Sequence, residues 1–209
     1  MYENLRIGLT MRRSDACDYD EPREGLALSW GFFLREALPG CVWVALPNTG
    51  ESIVRTVDEL GLNGLILTGG EDCGVYLQRD ESETALIAHA LQKDIPLMGI
   101  CRGFQMLHAY FGGNFVPCAK DEHVAVRHVV SFAENPYLAK GVQEVNSYHS
   151  NGIELKDIYG PLLPLAFDSS GLVEGVYSAQ HHVVGLMWHP ERETEFVESD
   201  IVIFRKFFT

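Results

Sequence analysis

The sequence predicts a single α/β domain: a central, mostly parallel sheet with flanking helices. Three observations predict it. Short apolar, β-rich runs alternate with stretches of helical spacing, the signature of parallel βαβ units. Glycine turns sit at the ends of two such runs, Gly69-Gly70 after residues 64–68 and Gly99-x-Cys101-x-Gly103 after residues 95–100. With 209 residues, 46% hydrophobic and 22% charged, the chain is large enough for one well-buried core and carries no sign of disorder.

Taken in order, residues 5–10 read as the first strand and residues 25–38 as an amphipathic helix stopped by Pro39-Gly40. Residues 41–46 form a second strand, and residues 51–60 a helix ending at Gly61. The third strand is 64–68. A helix over 81–93 leads into the apolar strand 95–100, and a helix follows over 104–110. From Gly112-Gly113 to Val184 the pattern is richer in strand than in helix, with a hairpin turn between Tyr177 and Val183. A strand over 183–188 and a helix over 194–208 close the chain. Trp30, Phe32, Phe33, Phe204, Phe207 and Phe208 have helical spacing and read as core. There is no internal repeat, low-complexity tract or linker.

Sixteen Lys and Arg against 29 Asp and Glu give a net charge of −13, which argues against nonspecific nucleic-acid binding and against anionic membranes. The N-terminus lacks a basic stretch followed by an apolar one, and no apolar run approaches the ~20 residues of a membrane span. Cys17, Cys41, Cys73, Cys101 and Cys118 are odd in number and widely spaced, with no C-x-x-C pair. That disfavours zinc and disulfides and fits a reducing cytoplasm. Neither a metal nor a cofactor is expected.

The chemistry concentrates at Gly99-Ile100-Cys101-Arg102-Gly103. Two glycines let the chain turn sharply from strand to helix, so the side chain between them stands out at the strand's carboxyl end. The helix that follows points its positive dipole end at that side chain and favours the thiolate. The alternative is a structural cysteine at a tight turn, and a partner decides between them. Trp188-His189-Pro190-Glu191 follows the last apolar strand: His suits the proton transfers a Cys nucleophile needs, and a carboxylate two residues on can orient its ring. In open α/β sheets ligands sit beyond the strand carboxyl ends, where Gly69-Gly70, Cys101 and His189 all fall.

These residues, with Leu67-Thr68-Gly69-Gly70-Glu71-Asp72 and Val145-Asn146-Ser147-Tyr148-His149-Ser150-Asn151, resemble the class I glutamine amidotransferase superfamily, and within it the γ-glutamyl hydrolases of the peptidase C26 type. The pieces occur in family order from the first strand to the last helix. The resemblance implies a flavodoxin-like class I glutamine amidotransferase fold over residues 1–209. It implies Cys101 as nucleophile, His189 as acid/base and Glu191 as its orienter, with backbone N–H groups of Gly70 and Arg102 as the oxyanion hole. Gly69, Gln105, Ser147, Tyr148 and His149 then hold the glutamyl group; related hydrolases often have Gln where this chain has Asn151.

The implied reaction is hydrolysis of a γ-glutamyl amide through a glutamyl thioester. The leaving amine stays open. Met11-Arg12-Arg13-Ser14 lies at the same sheet edge, and Arg is well shaped for phosphate oxygens; the alternative is a solvated turn. Arg23-Glu24-Gly25-Leu26-Ala27-Leu28-Ser29-Trp30-Gly31 and the compact length are similar to the γ-glutamyl-CDP-amidate hydrolases, which release cytidine diphosphoramidate for capsule sugars. On that reading Arg12, Arg13, Lys120, Arg127 and His128 are the basic residues for a diphosphate. Hydrolysis of γ-glutamyl-γ-aminobutyrate and a glutaminase subunit feeding ammonia to a synthase remain the rivals, as does a catalytically dead binding module. The partner is a small γ-glutamyl conjugate; a homodimer and a synthase partner stay open.

Cys73 lacks the glycine frame and reads as a bystander. Glu71 and Asp72 either orient substrate or belong to a solvated loop. His181 and His182 suggest a metal, but adjacent strand residues point to opposite faces, and Tyr177 to Val183 reads better as a hairpin turn. His89 and His108 read as ordinary helix histidines, while His123 and His128 flank a strand-like run and stay ambiguous.

Overall fold

The computed structural model describes residues 2–209. The first strand, β1 (Arg6–Thr10), leads into a hairpin of β2 (Arg12–Asp15) and β3 (Pro22–Gly25) and then into α1 (Ser29–Ala37). β4 (Val42–Leu46), α2 (Ile53–Glu59), β5 (Gly64–Leu67) and α3 (Leu77–Lys93) follow. Next come β6 (Leu97–Ile100), α4 (Arg102–Tyr110), β7 (Val116–Pro117) and the short α5 (Lys120–His123). The remainder is β8 (Val124–Phe132), β9 (Val142–Tyr148), β10 (Asn151–Gly152), β11 (Leu162–Phe167), β12 (Val173–Ser178), β13 (Val183–Leu186) and α6 (Glu198–Phe207).

Nine strands form one sheet in the order β4-β1-β5-β6-β13-β12-β11-β8-β9. From β4 to β13 all pairs are parallel, as the βαβ pattern predicts; from β13 to β9 all are antiparallel. The central parallel strands β5, β6 and β13 are buried along their whole length, because helices cover both faces. Their side chains alternate between two cores. Ile66, Met98 and Ile100 pack with Trp30, Phe33 and Phe204. Leu65, Leu67 and Leu97 pack on the other face with Val57, Leu86, Phe104 and Leu107.

Three sequence expectations need correction. The helix expected from residue 25 begins at Ser29, since Pro22–Gly25 pairs with Arg12–Asp15 in a hairpin. Most of the paired residues are exposed, so no apolar alternation announces these strands. Glu24 accepts hydrogen bonds from Asn48 N and Nδ2, which fastens the hairpin over the carboxyl edge of the sheet. Phe32 is 55% exposed rather than core: Trp30, Phe33, Leu34 and Ala37 form the buried face of α1, and Phe32 lies off it with Arg35 over its ring. The closing helix begins at Glu198 rather than at 194, because the chain from Glu193 to Val197 is non-helical, with extended backbone at both ends.

Candidate active site

β6 and β13 run side by side, with Leu186 opposite Ile100, so the residues after both strands emerge at one edge. Cys101 ends β6 with φ 51° and ψ −105°, a strained conformation for a residue with a Cβ, costing on the order of 1–3 kcal/mol. Its neighbours make the turn compact. A Cβ on Gly99 would sit 2.5 Å from the Gly103 carbonyl oxygen, and one on Gly103 would collide with the Leu67 carbonyl. Only glycine at both positions lets α4 close down on the strands. The thiol therefore lies over the start of α4, whose first N–H groups have no partner within the helix.

His189 follows β13 and is fixed at three points. Its N–H donates to Asn146 Oδ1 at 3.0 Å, and its carbonyl accepts from Asn146 Nδ2 at 2.8 Å. Its Nδ1 lies 2.8 Å from Glu191 Oε1, both side chains being buried. A carboxylate at Nδ1 holds the proton there and leaves Nε2 for the thiol. Burial raises the Cys101 pKa, but the His189 charge and a hydrogen bond from His189 outweigh it, and the net shift is downward. Burial lowers the His189 pKa, but Cys101 and Glu191 together push it up to about 9. Both shifts favour the thiolate and the imidazolium.

The Gly69–Gly70 turn presses against this pair, since a Cβ on Gly69 would lie 2.5 Å from His189 Cε1. Beneath the turn runs a buried ionic network that the sequence does not announce. Arg79 Nη2 donates to the Thr68 carbonyl at 2.7 Å, and Arg79 Nε to Glu83 Oε1 at 2.9 Å. Thr10 Oγ1 donates to the same oxygen at 2.7 Å. The Arg102 side chain turns away from the site to pair with Glu83 and Asp80. Glu83 is thereby held ionised despite full burial, with Arg79 and Arg102 overcoming the desolvation that raises its pKa. One network thus ties together the glycine turn, the elbow helix and β1.

On the far side, Tyr148 is half-exposed, with its ring 5.7 Å from the His189 ring and the Arg192 guanidinium 4.7 Å above it. Its neighbours point inward. Ser147 Oγ donates to the His123 carbonyl at 2.7 Å, and the buried His149 ring faces Glu174 at 3.3 Å. Gln105 is buried and donates to the Asn151 carbonyl at 3.2 Å. A small cavity beside the pair is lined by Arg12, Leu26, Trp30, Gly69, Glu191 and Arg192. Arg13 stands apart from it, over the Tyr76 ring and paired with Asp15 at 3.0 Å.

The remaining basic residues do not gather there. Arg127 pairs with Glu193 at 2.9 Å and Glu144 at 3.1 Å, Lys120 is exposed on α5, and His128 joins a buried cluster with Glu174. Burial drives the Cys73 thiol up to about 11, which keeps it unreactive. Glu71 pairs with Arg79, His89 with Asp58, and His108 with the Asn114 carbonyl. Asn146 and Arg192 belong to the site as well; sequence reasoning misses them, although both lie in or beside motifs read for other positions. No helix among the described residues is long and apolar enough to cross a membrane.

The peptidase C26 family model matches residues 33–191. The γ-glutamyl-CDP-amidate hydrolase of Campylobacter jejuni is 31% identical over 97% of this chain and 97% of its own. A putative glutamine amidotransferase-like protein of Lactococcus lactis is 32% identical over 68% of this chain and 72% of its own. Among solved structures, a putative GMP synthase subunit protein of Thermoplasma acidophilum superposes with a TM-score of 0.73 at 23% identity, covering 98% of this chain and 92% of its own. The fold and the matches define a glutamine amidotransferase-like hydrolase. Within that class, the chain belongs to the peptidase C26 family.

Proposed function

We propose that this chain is a free-standing cysteine hydrolase of γ-glutamyl amides, with γ-glutamyl-CDP-amidate as substrate. The observation that carries the reading is the strained Cys101 over the start of α4, its charge balanced by a His189 whose Nδ1 is held by Glu191 at 2.8 Å. The Cys101 thiolate attacks the side-chain carbonyl carbon of the glutamyl group. Backbone N–H groups of Gly70 and Arg102 receive the developing oxyanion. His189 returns the proton to the leaving nitrogen, the C–N bond breaks, and a glutamyl thioester remains. Water, deprotonated by His189, then attacks the thioester, releasing L-glutamate and restoring the Cys101 thiolate beside a protonated His189.

The glutamyl group lies along Gly69, Gln105 and the stretch Ser147, Tyr148 and His149. Because the Ser147 and His149 side chains are buried, backbone groups and the Tyr148 ring supply the contacts there. The leaving group extends under the β2–β3 hairpin, where Arg12 and Arg192 line the small cavity and Arg13 stands outside it. Two guanidinium groups at that end favour a diphosphate, and the full-length relative acts on one by its name. The product is then cytidine diphosphoramidate for capsule phosphoramidate synthesis, in a reducing cytoplasm where the five unpaired cysteines persist. The resemblance to a GMP synthase component favours a second reading, a glutaminase subunit feeding a synthase. γ-Glutamyl-γ-aminobutyrate is the other candidate substrate.

The test is glutamate release by the pure protein from γ-glutamyl-CDP-amidate, γ-glutamyl-γ-aminobutyrate and L-glutamine. Fast release from the first is expected. The Cys101→Ala variant should lose at least ~10⁴-fold in kcat, and Arg12→Ala should raise KM for the diphosphate substrate. Preference for γ-glutamyl-γ-aminobutyrate, or an unchanged KM in Arg12→Ala, overturns the diphosphate assignment.

A further inference from the structure

The antiparallel half buries four side chains that the thioester chemistry does not require. They are His123 at the end of α5, His128 on β8, His149 just past β9 and Glu174 on β12. His123, His149 and Glu174 are at most 3% exposed, and His128 is half-buried. Each residue offers one ligand atom, and the four atoms lie within 4.8 Å of one another. His149 Nε2 stands 3.3 Å from Glu174 Oε1 and His128 Nε2 stands 3.5 Å from Oε2. Neither contact is aligned as a hydrogen bond. Those two nitrogens, both Glu174 oxygens and His123 Nδ1 are buried without a hydrogen-bond partner. Buried polar atoms left this way are rare and costly.

We propose that His123, His128, His149 and Glu174 bind one divalent transition-metal ion, zinc foremost, as a structural site behind the Tyr148 shelf. Three imidazoles and a carboxylate suit zinc. Metal–ligand distances of about 2.0–2.1 Å place neighbouring ligand atoms of a tetrahedron about 3.3 Å apart; His149 Nε2 and Glu174 Oε1 already stand at 3.3 Å, and all four ligand atoms lie within 4.8 Å of one another. The outward nitrogens have the acceptors that orient metal-bound histidines: His149 Nδ1 is 3.1 Å from the Asn151 carbonyl, and His123 Nε2 is 3.5 Å from Asp168 Oδ2. A cleft of about 390 Å³ gives an entry path, with Asp121, Glu122 and Asp168 beside His123 and His128.

Four protein ligands leave no open position, so the ion acts as a clamp rather than a Lewis acid. It joins α5, β8, β9 and β12. The His123 carbonyl in turn accepts from Ser147 Oγ and His149 N, which carries the clamp to the shelf beside His189. The site stands independently of the substrate assignment. No spacing motif reveals it, because its ligands are spread over about fifty residues.

The test strips the protein with a chelator, re-equilibrates it with Zn²⁺ alone and counts bound metal by mass spectrometry. One tight Zn²⁺ per chain is expected in the wild type and in Cys101→Ala, which removes the elbow thiol as a competing ligand. His128→Gln and Glu174→Gln should each weaken binding by more than ~100-fold, beyond the loss typical of an outer-shell partner. The Co²⁺-loaded wild type should show ligand-field bands without thiolate charge transfer. Circular dichroism in chelator checks that the variants fold. His128, at the cleft, is the gentler substitution, and the wild-type count and cobalt spectrum need no variant. No tight Zn²⁺ in the wild type, equal uptake by both variants, loss of the ion in Cys101→Ala, or a thiolate cobalt spectrum would overturn the assignment.

Discussion

Two buried charged clusters flank the candidate site, and they are built on opposite principles. Under the Gly69–Gly70 turn, Arg79 and Arg102 share Glu83, with Asp80 and Glu71 at the margin. Under the Tyr148 shelf, three imidazoles surround Glu174. Guanidinium groups are always charged and donate only, so the first cluster is neutralised by its own ion pairs, with Arg102 Nε and Glu71 Oε2 its buried atoms without a partner. Imidazole nitrogens can carry lone pairs, and in the second cluster three imidazoles meet a single carboxylate. The first cluster carries its own counter-charges; the second is completed by a cation. One fixes the glycine turn against the elbow, the other fixes the opposite wall.

The largest expected effect breaks the first cluster. Glu83→Gln leaves two buried guanidinium groups without their shared carboxylate and should cost about 3–5 kcal/mol in chemical denaturation. Glu174→Gln in metal-free protein should cost less, about 1–3 kcal/mol, since an imidazole can be neutral where a guanidinium cannot. If the two variants lose equal stability, the distinction between the clusters fails. Replacing Arg79, Glu83 and Arg102 together by Leu should recover much of the stability. Recovery of activity as well would show that the network does not position the turn.

A second prediction works at the contact between turn and imidazole. Gly69→Ala places a Cβ against a His189 ring that Asn146 and Glu191 prevent from yielding. A displacement of about 1 Å there should lower kcat roughly 10²-fold, with little change in melting temperature. Unchanged kcat would mean that the turn is free to shift, contrary to its tethering by Arg79.

Acid–base behaviour sharpens the comparison further. The proposed mechanism works from a thiolate paired with an imidazolium. Activity should therefore rise with pH through the lowered Cys101 pKa and fall as pH passes about 9, where His189 loses its proton. Both limbs belong to the coupled pair. Glu191→Gln removes a charge that raises the His189 pKa, so the falling limb of kcat/KM should move to lower pH. A limb that stays in place would assign the high His189 pKa to Cys101 alone.

Legibility in the sequence divides along the same line. The parallel half is readable because β5, β6 and β13 are buried on both faces and appear as unbroken apolar runs. The elbow and the His-Pro-Glu turn are readable because the turn geometry demands specific residues at fixed spacing. The β2–β3 hairpin is not: its strands are largely exposed and held by backbone pairing. Arg79 and Glu83, four apart on a helix, look like an ordinary surface pair, and only the tertiary structure shows both with 0% exposure. His123, His128, His149 and Glu174 come from four parts of the chain, and long-range pairing of β8, β9, β11 and β12 brings them together. His123 and His128 stay ambiguous in sequence for that reason.

The smallest expected effect concerns a third buried carboxylate, which has neither kind of cationic company. Asp200 on α6 accepts from Trp188 Nε1 at 3.0 Å and from Gln143 Nε2 at 3.3 Å, both neutral donors. Burial raises its pKa to about 6, and these hydrogen bonds only partly oppose the rise. A folded pKa above the unfolded value means the fold binds the proton more tightly. Below about 3.8 both states are protonated and Asp200 costs nothing; the cost grows as pH rises to about 6 and is constant above. Asp200→Asn keeps an acceptor for the Trp188 N–H and removes the charge, so it should raise the denaturation midpoint at pH 7 and leave it nearly unchanged near pH 4. A lower midpoint at pH 7 would show that the Asp200 charge is compensated after all. The contrast with Glu83 would then rest on geometry rather than on the charge of the partners.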